Sequence, residues 1–436
     1  MTWRLGEAAS GDLAATVPGV RVVLDVRPLQ DPDRAPTTAI YLDELLAAFN
    51  AEPLPGESFA YLLQAGLPDP TERFTALQVI GRRKLPPTRL LRSGALTVDP
   101  FVLRGASVGA GWRAERGGAA GAVYHTASGA VPLASGLPLI VTLLDLAPWE
   151  LPGSYQRSPA AAFGQRLRGR ILREAAAVIV GSEATGRMAR RLLHVRPERL
   201  HVVPLAARAA FRPEATSVDA SDWVADLDRL GLPRRYFVYS GRYDARQDLS
   251  SLLGALGRLA AAGRPGALAA DVPWPPRVLL VGTSPDDRAS LARVAAGERV
   301  GELLAYAPAL STARLAGLVA GAHAALLPVN SEAAGLPAIE AIAAGTPVVA
   351  SSIGALPGLV GSAGILVESG DPERLATALD AIWTDDRLHA QLRSEALARS
   401  GPQRRTWVDV ARDTRQVYAA AARPTTRARV AASHPG

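Results

Sequence analysis

Residues Leu326–Ser352 read LLPVNSEAAGLPAIEAIAAGTPVVASS, and this stretch predicts a strand, a glycine turn, a short helix and a second strand in succession. Gly335 supplies the turn, and Pro337 has the fixed φ angle that suits a first helical turn. We expect the helix to begin at about Leu336 and to end at Gly345, where the chain returns to an extended apolar run. The stretch therefore predicts one strand, helix and strand unit of an α/β protein.

Two glutamates, Glu332 and Glu340, lie on either side of the predicted turn and are too far apart in sequence to form an ordinary i, i+4 pair. The start of the helix presents unpaired N–H groups and a positive dipole end, which favour a phosphate. Carboxylates on either side can accept hydrogen bonds from hydroxyls, and a sugar nucleotide carries hydroxyls on both sides of its diphosphate. The alternative is that Glu332 is a solvated loop charge and Glu340 an ordinary helix residue.

The run EAAGLPAIEAIAAGTPVV, which starts at Glu332, resembles a motif of family-4 (group 1) retaining glycosyltransferases of the GT-B fold. Their usual sequence is E-G-F-G-L-P-x-x-E-A-x-A-x-G-x-P-V-V, and this chain departs from it by having two alanines in place of G-F. The resemblance implies that Glu332 faces the donor sugar and that Glu340 binds the ribose hydroxyls. It also implies that the backbone amides near Gly335 and Leu336 hold the donor diphosphate.

A second motif, GRYDARQD, begins at Gly241 directly after a predicted strand and resembles the family's G-R-x-D-x-R-K-N. The resemblance implies that Arg242 holds the donor diphosphate and neutralises the leaving group. Gln247 stands where the family has its lysine, with Arg246 beside it as a second donor-binding cation. The alternative is that Arg242 and Arg246 are solvated loop charges. Lys84 is the only lysine of the chain, so the second domain offers no replacement and no lysine for the pyridoxal phosphate of GT-B phosphorylases.

The first half of the chain resembles the family more weakly. Asp25–Leu29, DVRPL, matches a common opening, but the glycine loop that follows it in the family is missing. The run LLDLAP places Leu144 at the position of the family's histidine, which lies close to the reacting sugar. His125 ends a different predicted strand, and we interpret it as structural.

Strands and helices alternate along the chain, which predicts parallel sheets with helices on both faces. By the resemblance, the fold class is α/β GT-B, with two Rossmann-like doubly wound parallel-sheet domains facing a central cleft. We expect an acceptor-side domain, an interdomain linker, a nucleotide-sugar-binding domain, a helix that crosses back to the first domain, and a disordered tail. Their predicted ranges are 1–207, 208–234, 235–406, 407–422 and 423–436. Further predicted elements are a strand at Phe74–Ile80, arginine-bearing helices at Phe163–Ala177 and Gly186–Leu193, and a helix at Pro372–Trp383.

The composition of the chain excludes several kinds of site and partner. The chain has 436 residues, a net charge of +7 and no cysteine, which excludes disulfides, thiolate metal sites and cysteine nucleophiles. Its dispersed arginines and few aromatics argue against nucleic acid as a partner. The first residues lack the apolar core of a signal peptide, and the uncharged stretches are interrupted by glycine and proline, so we expect a cytoplasmic protein without membrane spans. The histidines are not clustered in sequence, and the resemblance implies that a helix dipole and arginine take the place of a metal cation, so we expect no metal or other cofactor.

The resemblance implies a retaining glycosyltransferase that moves a hexose from a nucleoside diphosphate sugar to an acceptor hydroxyl. The resemblance implies a glycan or lipid-linked acceptor, as in cell-surface glycan or glycolipid synthesis, and the arginine-bearing helices suggest peripheral contact with the inner face of a membrane. The competing hypothesis is a non-catalytic GT-B protein that binds a sugar nucleotide or a partner, because the glycine loop, the histidine and the lysine all depart from the family pattern.

Overall fold

The computed structural model describes residues 19–86, 121–127, 131–133, 135–213, 220–241, 243–401 and 403–422, and the statements below refer to these residues. Two predictions fall elsewhere in the chain. Arg242 and the tail at 423–436 both lie outside the described residues.

The first sheet has seven strands in the order β3-β2-β1-β4-β5-β6-β7, and the pairs from β3 to β5 are parallel. Its strands are β1 Arg21–Asp25, β2 Ser58–Gln64, β3 Val79–Leu85, β4 Ala122–Thr126, β5 Leu139–Leu143, β6 Ala177–Val180 and β7 Leu200–Val202.

The second sheet has six strands in the order β10-β9-β8-β11-β12-β13, and every neighbouring pair is parallel. Its strands are β8 Phe237–Ser240, β9 Val278–Val281, β10 Leu304–Ala307, β11 Ala324–Leu327, β12 Val348–Ser351 and β13 Gly364–Val367. The two parallel-sheet α/β domains have the predicted GT-B fold.

Helices connect most of these strands, as parallel pairing requires. The first sheet is accompanied by α1 Arg27–Gln30, α2 Pro36–Ala51, α3 Ala147–Glu150, α4 Pro152–Tyr155, α5 Pro159–Glu174 and α6 Glu183–Leu193. The remaining helices are α7 Ala220–Arg229, α8 Leu249–Ala262, α9 Pro285–Gly297, α10 Thr312–Ala320, α11 Leu336–Ala343, α12 Leu356–Val360, α13 Pro372–Thr384, α14 Asp386–Arg399 and α15 Trp407–Ala422. Among the described helices, none combines the length and the apolar character needed to cross a membrane.

The second sheet is buried on both faces, which explains its continuous apolar strands. In β11, Ala325 and Leu327 belong to one core cluster, whereas Ala324 and Leu326 belong to another. Successive side chains of a strand point to opposite faces, so the two clusters lie on opposite sides of the sheet. Helices therefore cover both sides, and the ends of the strands remain available for a site.

The contacts of the chain divide it into two compact units. The first contains residues 1–142, 174–178 and 411–436, and the second contains residues 143–173 and 179–410. Within the first unit, α15 is anchored by Arg415, which forms a buried ion pair with Glu57 at 2.7 Å. The described residues around the glutamate motif all belong to the second unit. The predicted domain boundaries remain predictions.

One predicted strand needs correction, and two helices of the structure were not predicted. The strand predicted at Phe74–Ile80 begins only at Val79, because Phe74 and Leu77 are buried anchors of a turn and not strand residues. The predicted linker contains the helix α7, in which Asp226 is buried against Arg314. The helix α14, which follows α13, was not predicted. Only Leu392 and Ala396 are buried in it, so its apolar pattern is weak.

The arginine-bearing helices are present with shifted ends. The helix predicted at Phe163–Ala177 spans Pro159–Glu174, because Ala177 already belongs to β6. The helix predicted at Gly186–Leu193 starts earlier, at Glu183, where the Ser182 side chain accepts a hydrogen bond from the Thr185 N–H and caps the helix.

Candidate functional site

The predicted turn between β11 and α11 is present, and α11 begins at Leu336 as expected. Gly335 has a φ angle of 68°, a left-handed conformation that glycine adopts without steric cost. A Cβ atom built at this position would come within 2.0 Å of Leu359 Cδ1. Both the backbone conformation and the packing therefore require glycine here. We call residues 331–336 the glutamate turn.

Glu332 is fixed by its own turn and is not a freely solvated charge. Its Oε1 accepts hydrogen bonds from the N–H groups of Ala334 at 3.0 Å and Gly335 at 2.8 Å. Its backbone oxygen accepts a further bond from the N–H of Ala355 at 3.1 Å. Burial raises the pKa of the Glu332 carboxyl, while the two backbone donors act in the opposite direction. The carboxylate is thus held in one orientation at the start of the helix.

The start of α11 retains donors beyond those that Glu332 uses. Pro337 has no N–H, and the N–H of Ile339 donates to the Gly335 oxygen at 3.0 Å. Among the residues that the structure describes, the N–H groups of Leu336 and Ala338 have no hydrogen-bond partner. Of the two amides predicted to face a diphosphate, that of Gly335 is therefore engaged by Glu332 and that of Leu336 is unpaired.

Glu340 forms a buried ion pair with Arg208. The Arg208 Nε lies 2.5 Å from Glu340 Oε1, and its second terminal nitrogen lies 3.0 Å from Oε2, so the contact is bidentate. The side chains of Arg208 and Glu340 are only 11% and 7% exposed. Arg208 also donates to Thr312 Oγ1 at 3.1 Å. Burial raises the pKa of Glu340 and the arginine lowers it, so Glu340 is not an ordinary exposed helix residue.

Arg246 is paired with carboxylates and is not a solvated loop charge. Its guanidinium donates to Asp244 Oδ2 at 2.6 Å and lies 3.6 Å from Asp145 Oδ2. Its backbone oxygen accepts a hydrogen bond from the N–H of Asn330 at 2.6 Å, directly before the glutamate turn, and its positive charge lowers the pKa of Glu332. Arg246 thus contributes a cation that is held between two acids near the glutamate turn.

Gln247, at the position of the family's lysine, forms hydrogen bonds within the loop that follows β8. Its Oε1 accepts from the Asp244 N–H at 3.2 Å, and its backbone N–H donates to the Asp244 oxygen at 3.1 Å. Gln247 also forms a β-bridge with Val329, and the Asn330 N–H donates to the Arg246 oxygen at 2.6 Å. These contacts join the loop after β8 to the loop that leads into the glutamate turn.

Leu144 stands at the position of the family's histidine, and His125 is the histidine nearest to it in sequence. Leu144 is buried, with 7% of its surface exposed. His125 lies in the first unit, where its Nε2 contacts Thr142 Oγ1 at 2.8 Å and its Nδ1 contacts the Tyr418 hydroxyl at 2.7 Å. Burial lowers the pKa of His125 to about 3. The interpretation of His125 as a structural residue is therefore confirmed.

Several residues that support the turn were not predicted. Ser331 Oγ donates to Glu150 Oε2, and Thr185 Oγ1 donates to the Ala333 oxygen at 2.8 Å. Together with Arg208 and Asp145, these partners come from segments far from the motif in sequence. Their only sequence signal is a polar residue at the end of a strand or beside an apolar run, which many solvated residues share.

The described residues contain no group of three or more His, Asp or Glu side chains placed to hold a metal ion. Absence of a metal and of any other cofactor remains a prediction.

Comparisons with known proteins bear on the second half of the chain. Residues 234–385 match the family model described as glycosyl transferases group 1. Both predicted motifs, which begin at Gly241 and at Glu332, fall inside this range. A comparison with curated protein sequences finds no match.

Solved structures match nearly the whole chain. Sucrose-phosphate synthase from Thermosynechococcus elongatus has a TM-score of 0.66 at 22% identity, covering 95% of this chain and 100% of that one. A glycosyltransferase from Rickettsia africae has a TM-score of 0.65 at 12% identity, with 93% and 100% covered. HepE from Anabaena, solved in complex with UDP, has a TM-score of 0.63 at 17% identity, with 92% and 100% covered. At these identities the likeness shows the fold.

Proposed function

We propose that the protein transfers a sugar from a nucleotide sugar to an acceptor hydroxyl, because residues 234–385 match the group 1 glycosyl transferase family model and the chain resembles solved glycosyltransferases in fold. The observation that carries the proposal is the glutamate turn, which combines a fixed carboxylate with unpaired N–H groups at the positive end of a helix. Such a turn suits a ligand whose hydroxyls adjoin a phosphate. UDP and UDP-glucose, which HepE binds, have that chemistry.

The donor diphosphate is proposed to bind at the N–H groups of Leu336 and Ala338, with Arg246 and Arg242 as cations. Arg246 supports this role because it already lies near Glu332, although it is shared with Asp244 and Asp145. The role of Arg242 rests on the sequence motif. Positive charge and helix dipole together stabilise the charge that develops on a departing diphosphate.

We assign Glu332 to the donor sugar and Glu340 to the ribose. Each carboxylate oxygen of Glu340 has a second lone pair beyond the one that Arg208 uses, so bidentate pairing leaves it able to accept from hydroxyls. The transferred sugar is proposed to be a hexose, moved with retention of configuration, and the leaving diphosphate oxygen deprotonates the incoming hydroxyl. This route requires no protein nucleophile.

A panel of nucleotide sugars tests the proposal. A ligand present at about 100 times its Kd adds about 2.7 kcal/mol to the free energy of unfolding, which thermal shift detects easily. We expect one nucleotide class to stabilise the protein and its sugar to be transferred or hydrolysed. If no nucleotide sugar of the panel shifts the melting temperature, the proposed function is wrong.

A non-catalytic sugar-nucleotide-binding protein is the second candidate. It is favoured by Leu144, which is buried and apolar where the family has a histidine, and by Gln247, whose amide is used within its own loop. Binding of a nucleotide sugar without any turnover, across a broad acceptor pool, would favour this candidate over the transferase.

The acceptor is proposed to be a glycan or a lipid-linked sugar of cell-surface synthesis, reached from the cytoplasm by peripheral contact with an anionic membrane. The exposed arginines Arg166, Arg187 and Arg190 support this contact, since each basic side chain near such a surface contributes about 1 kcal/mol. Arg168, predicted on the same face, is buried and is removed from the hypothesis. Co-sedimentation with anionic vesicles should weaken in the Arg187→Glu/Arg190→Glu variant.

A further inference from the structure

A cavity of about 280 Å³ lies between α5, the end of α6 and the loop at Trp149. Its walls include Trp149, Gln165, Arg166, Arg173 and His194, and all of them belong to the second compact unit. None of these residues takes part in the glutamate turn. Pockets for drug-sized ligands span about 300 to 1,000 Å³, so this cavity suits a smaller molecule or a headgroup.

Gln165 is the feature that distinguishes this cavity from an ordinary surface hollow. Gln165 lines the cavity, the residue is 2% exposed, and its Oε1 has no hydrogen-bond partner among the described residues. A buried amide oxygen without a partner costs free energy. Its persistence at this wall is explained if a ligand in the cavity pairs with it.

The charges around the cavity indicate the class of ligand. Arg166 and Arg173 lie seven positions apart, two turns along the same face of α5, and both line the cavity. Within the described part of the chain, neither side chain has an ion-pair or hydrogen-bond partner. Arginine forks match the oxygen geometry of phosphate and carboxylate.

A third arginine adds positive charge behind the wall. Arg168 is buried, its guanidinium lies 4.6 Å from the centre of the Trp149 ring, and its Nε has no hydrogen-bond partner among the described residues. Because the charge is held in a poorly solvated place, its field reaches the cavity with little screening.

We propose that this cavity binds a phosphate group whose attached hydroxyls pair with the Gln165 amide, with Arg166 and Arg173 as the phosphate ligands. The phosphate belongs to a small phosphorylated sugar or to the headgroup of an anionic lipid. The site is separate from the proposed donor site, so its failure and that of the proposed function are distinguishable.

The test measures binding of three probes to the full chain: inorganic phosphate, glucose 6-phosphate, and phosphatidylglycerol vesicles against phosphatidylcholine vesicles. The cavity variants are Arg166→Ala/Arg173→Ala, which removes the cations, and Gln165→Leu, which changes no charge. The control is Arg258→Ala/Arg293→Ala, which removes two exposed arginines elsewhere. Melting temperatures confirm folding, and that of Gln165→Leu should be equal to the wild type or higher, because an unpaired buried amide oxygen is removed.

We expect at least one phosphate-bearing probe to bind wild type and control, and to bind both cavity variants about tenfold more weakly or worse. Binding of a soluble probe identifies a free phosphate compound as the ligand. Binding of vesicles alone, with the same loss in both cavity variants, identifies a lipid headgroup. Binding that Gln165→Leu leaves unchanged reflects surface charge and overturns the proposal, as does the absence of binding by all three probes.

Discussion

Arg208 and Glu340 are joined by two hydrogen bonds although they lie 132 positions apart in sequence, and both are nearly buried. Removing one member of a buried pair leaves an uncompensated charge, which typically costs about 3 to 5 kcal/mol. We therefore expect Arg208→Met to lower the free energy of unfolding by about that amount, measured by chemical denaturation.

The matched control for this prediction is Arg374→Met, which breaks an exposed pair with Asp371. Exposed pairs contribute about 0 to 1 kcal/mol, so the control should be nearly neutral. If Arg208→Met and Arg374→Met destabilise equally, the buried pair does not hold this part of the fold together. Glu340→Gln in the Arg208→Met background should recover part of the loss, because the buried charge is then absent.

Substitutions of the two glutamates should affect nucleotide binding and catalytic turnover differently. Glu340→Gln should weaken binding of free nucleoside diphosphate, because an amide is a poorer acceptor for paired ribose hydroxyls and also loses its ionic contact with Arg208. Glu332→Gln should reduce turnover or sugar discrimination while free nucleotide still binds. Calorimetry and single-turnover assays measure the two effects. Unchanged nucleotide affinity in Glu340→Gln contradicts the ribose assignment.

The sequence predicted the glutamate turn well because its signals are local. Gly335 and Pro337 interrupt an apolar run, and they predict the start of α11 directly. The partners of the turn could not be predicted in this way. Arg208 lies in a stretch that resembles a linker, and its pairing with Glu340 exists only after the chain has folded.

The motif after β8 shows a second feature that the sequence could not predict. The sequence placed Gln247 at the family's lysine position and Arg246 beside it, both in the predicted donor site. It could not show that Gln247 bonds to Asp244 while Arg246 lies between two acids. Side-chain direction in a short loop depends on contacts with Val329 and Asn330, which come from another strand end. Residue type alone does not encode that choice.

Gly335→Ala should destabilise the turn and weaken nucleotide binding. The left-handed backbone costs a residue with a Cβ about 1 to 2 kcal/mol, and the Cβ would also collide with Leu359. Gly266→Ala is a suitable control, since a Cβ there meets no atom within 4 Å. Thermal unfolding with and without nucleotide measures both effects, and equal behaviour of the two variants would show that the turn tolerates substitution.

Acid should destabilise the first unit through His125. Its folded pKa of about 3 lies below the ordinary value of 6.5, so the folded state favours the neutral ring. The side chains that contact the ring are those of Thr142, Tyr418 and Tyr41, none of which is acidic. The contribution of this neutral ring to stability is complete above pH 6.5 and is lost as the pH falls toward 3.

Between pH 7.5 and 5.5 this loss amounts to about 1.4 kcal/mol for one histidine. Denaturation curves across this range, compared between wild type and His125→Phe, should show a shallower pH dependence in the variant, by about half a proton on average over the two pH units. A variant with the same slope as the wild type would show that His125 does not couple folding to protonation.

Arg246 decides whether the proposed diphosphate site is competent without the family's lysine. Its guanidinium is shared between Asp244 and Asp145, and a bound diphosphate must compete with these carboxylates. Arg246→Ala removes the cation and leaves the acids, so we expect donor affinity to fall about tenfold or more. Asp145→Asn removes one competitor, so it should leave donor affinity unchanged or raise it.

Arg242→Ala, compared in the same assays of nucleotide binding and sugar transfer, tests the cation that the motif assigns. Loss of transfer in both arginine variants supports a clamp of two arginines in place of arginine and lysine. If Arg246→Ala keeps wild-type affinity and transfer while Asp145→Asn has no effect, Arg246 belongs to the loop alone.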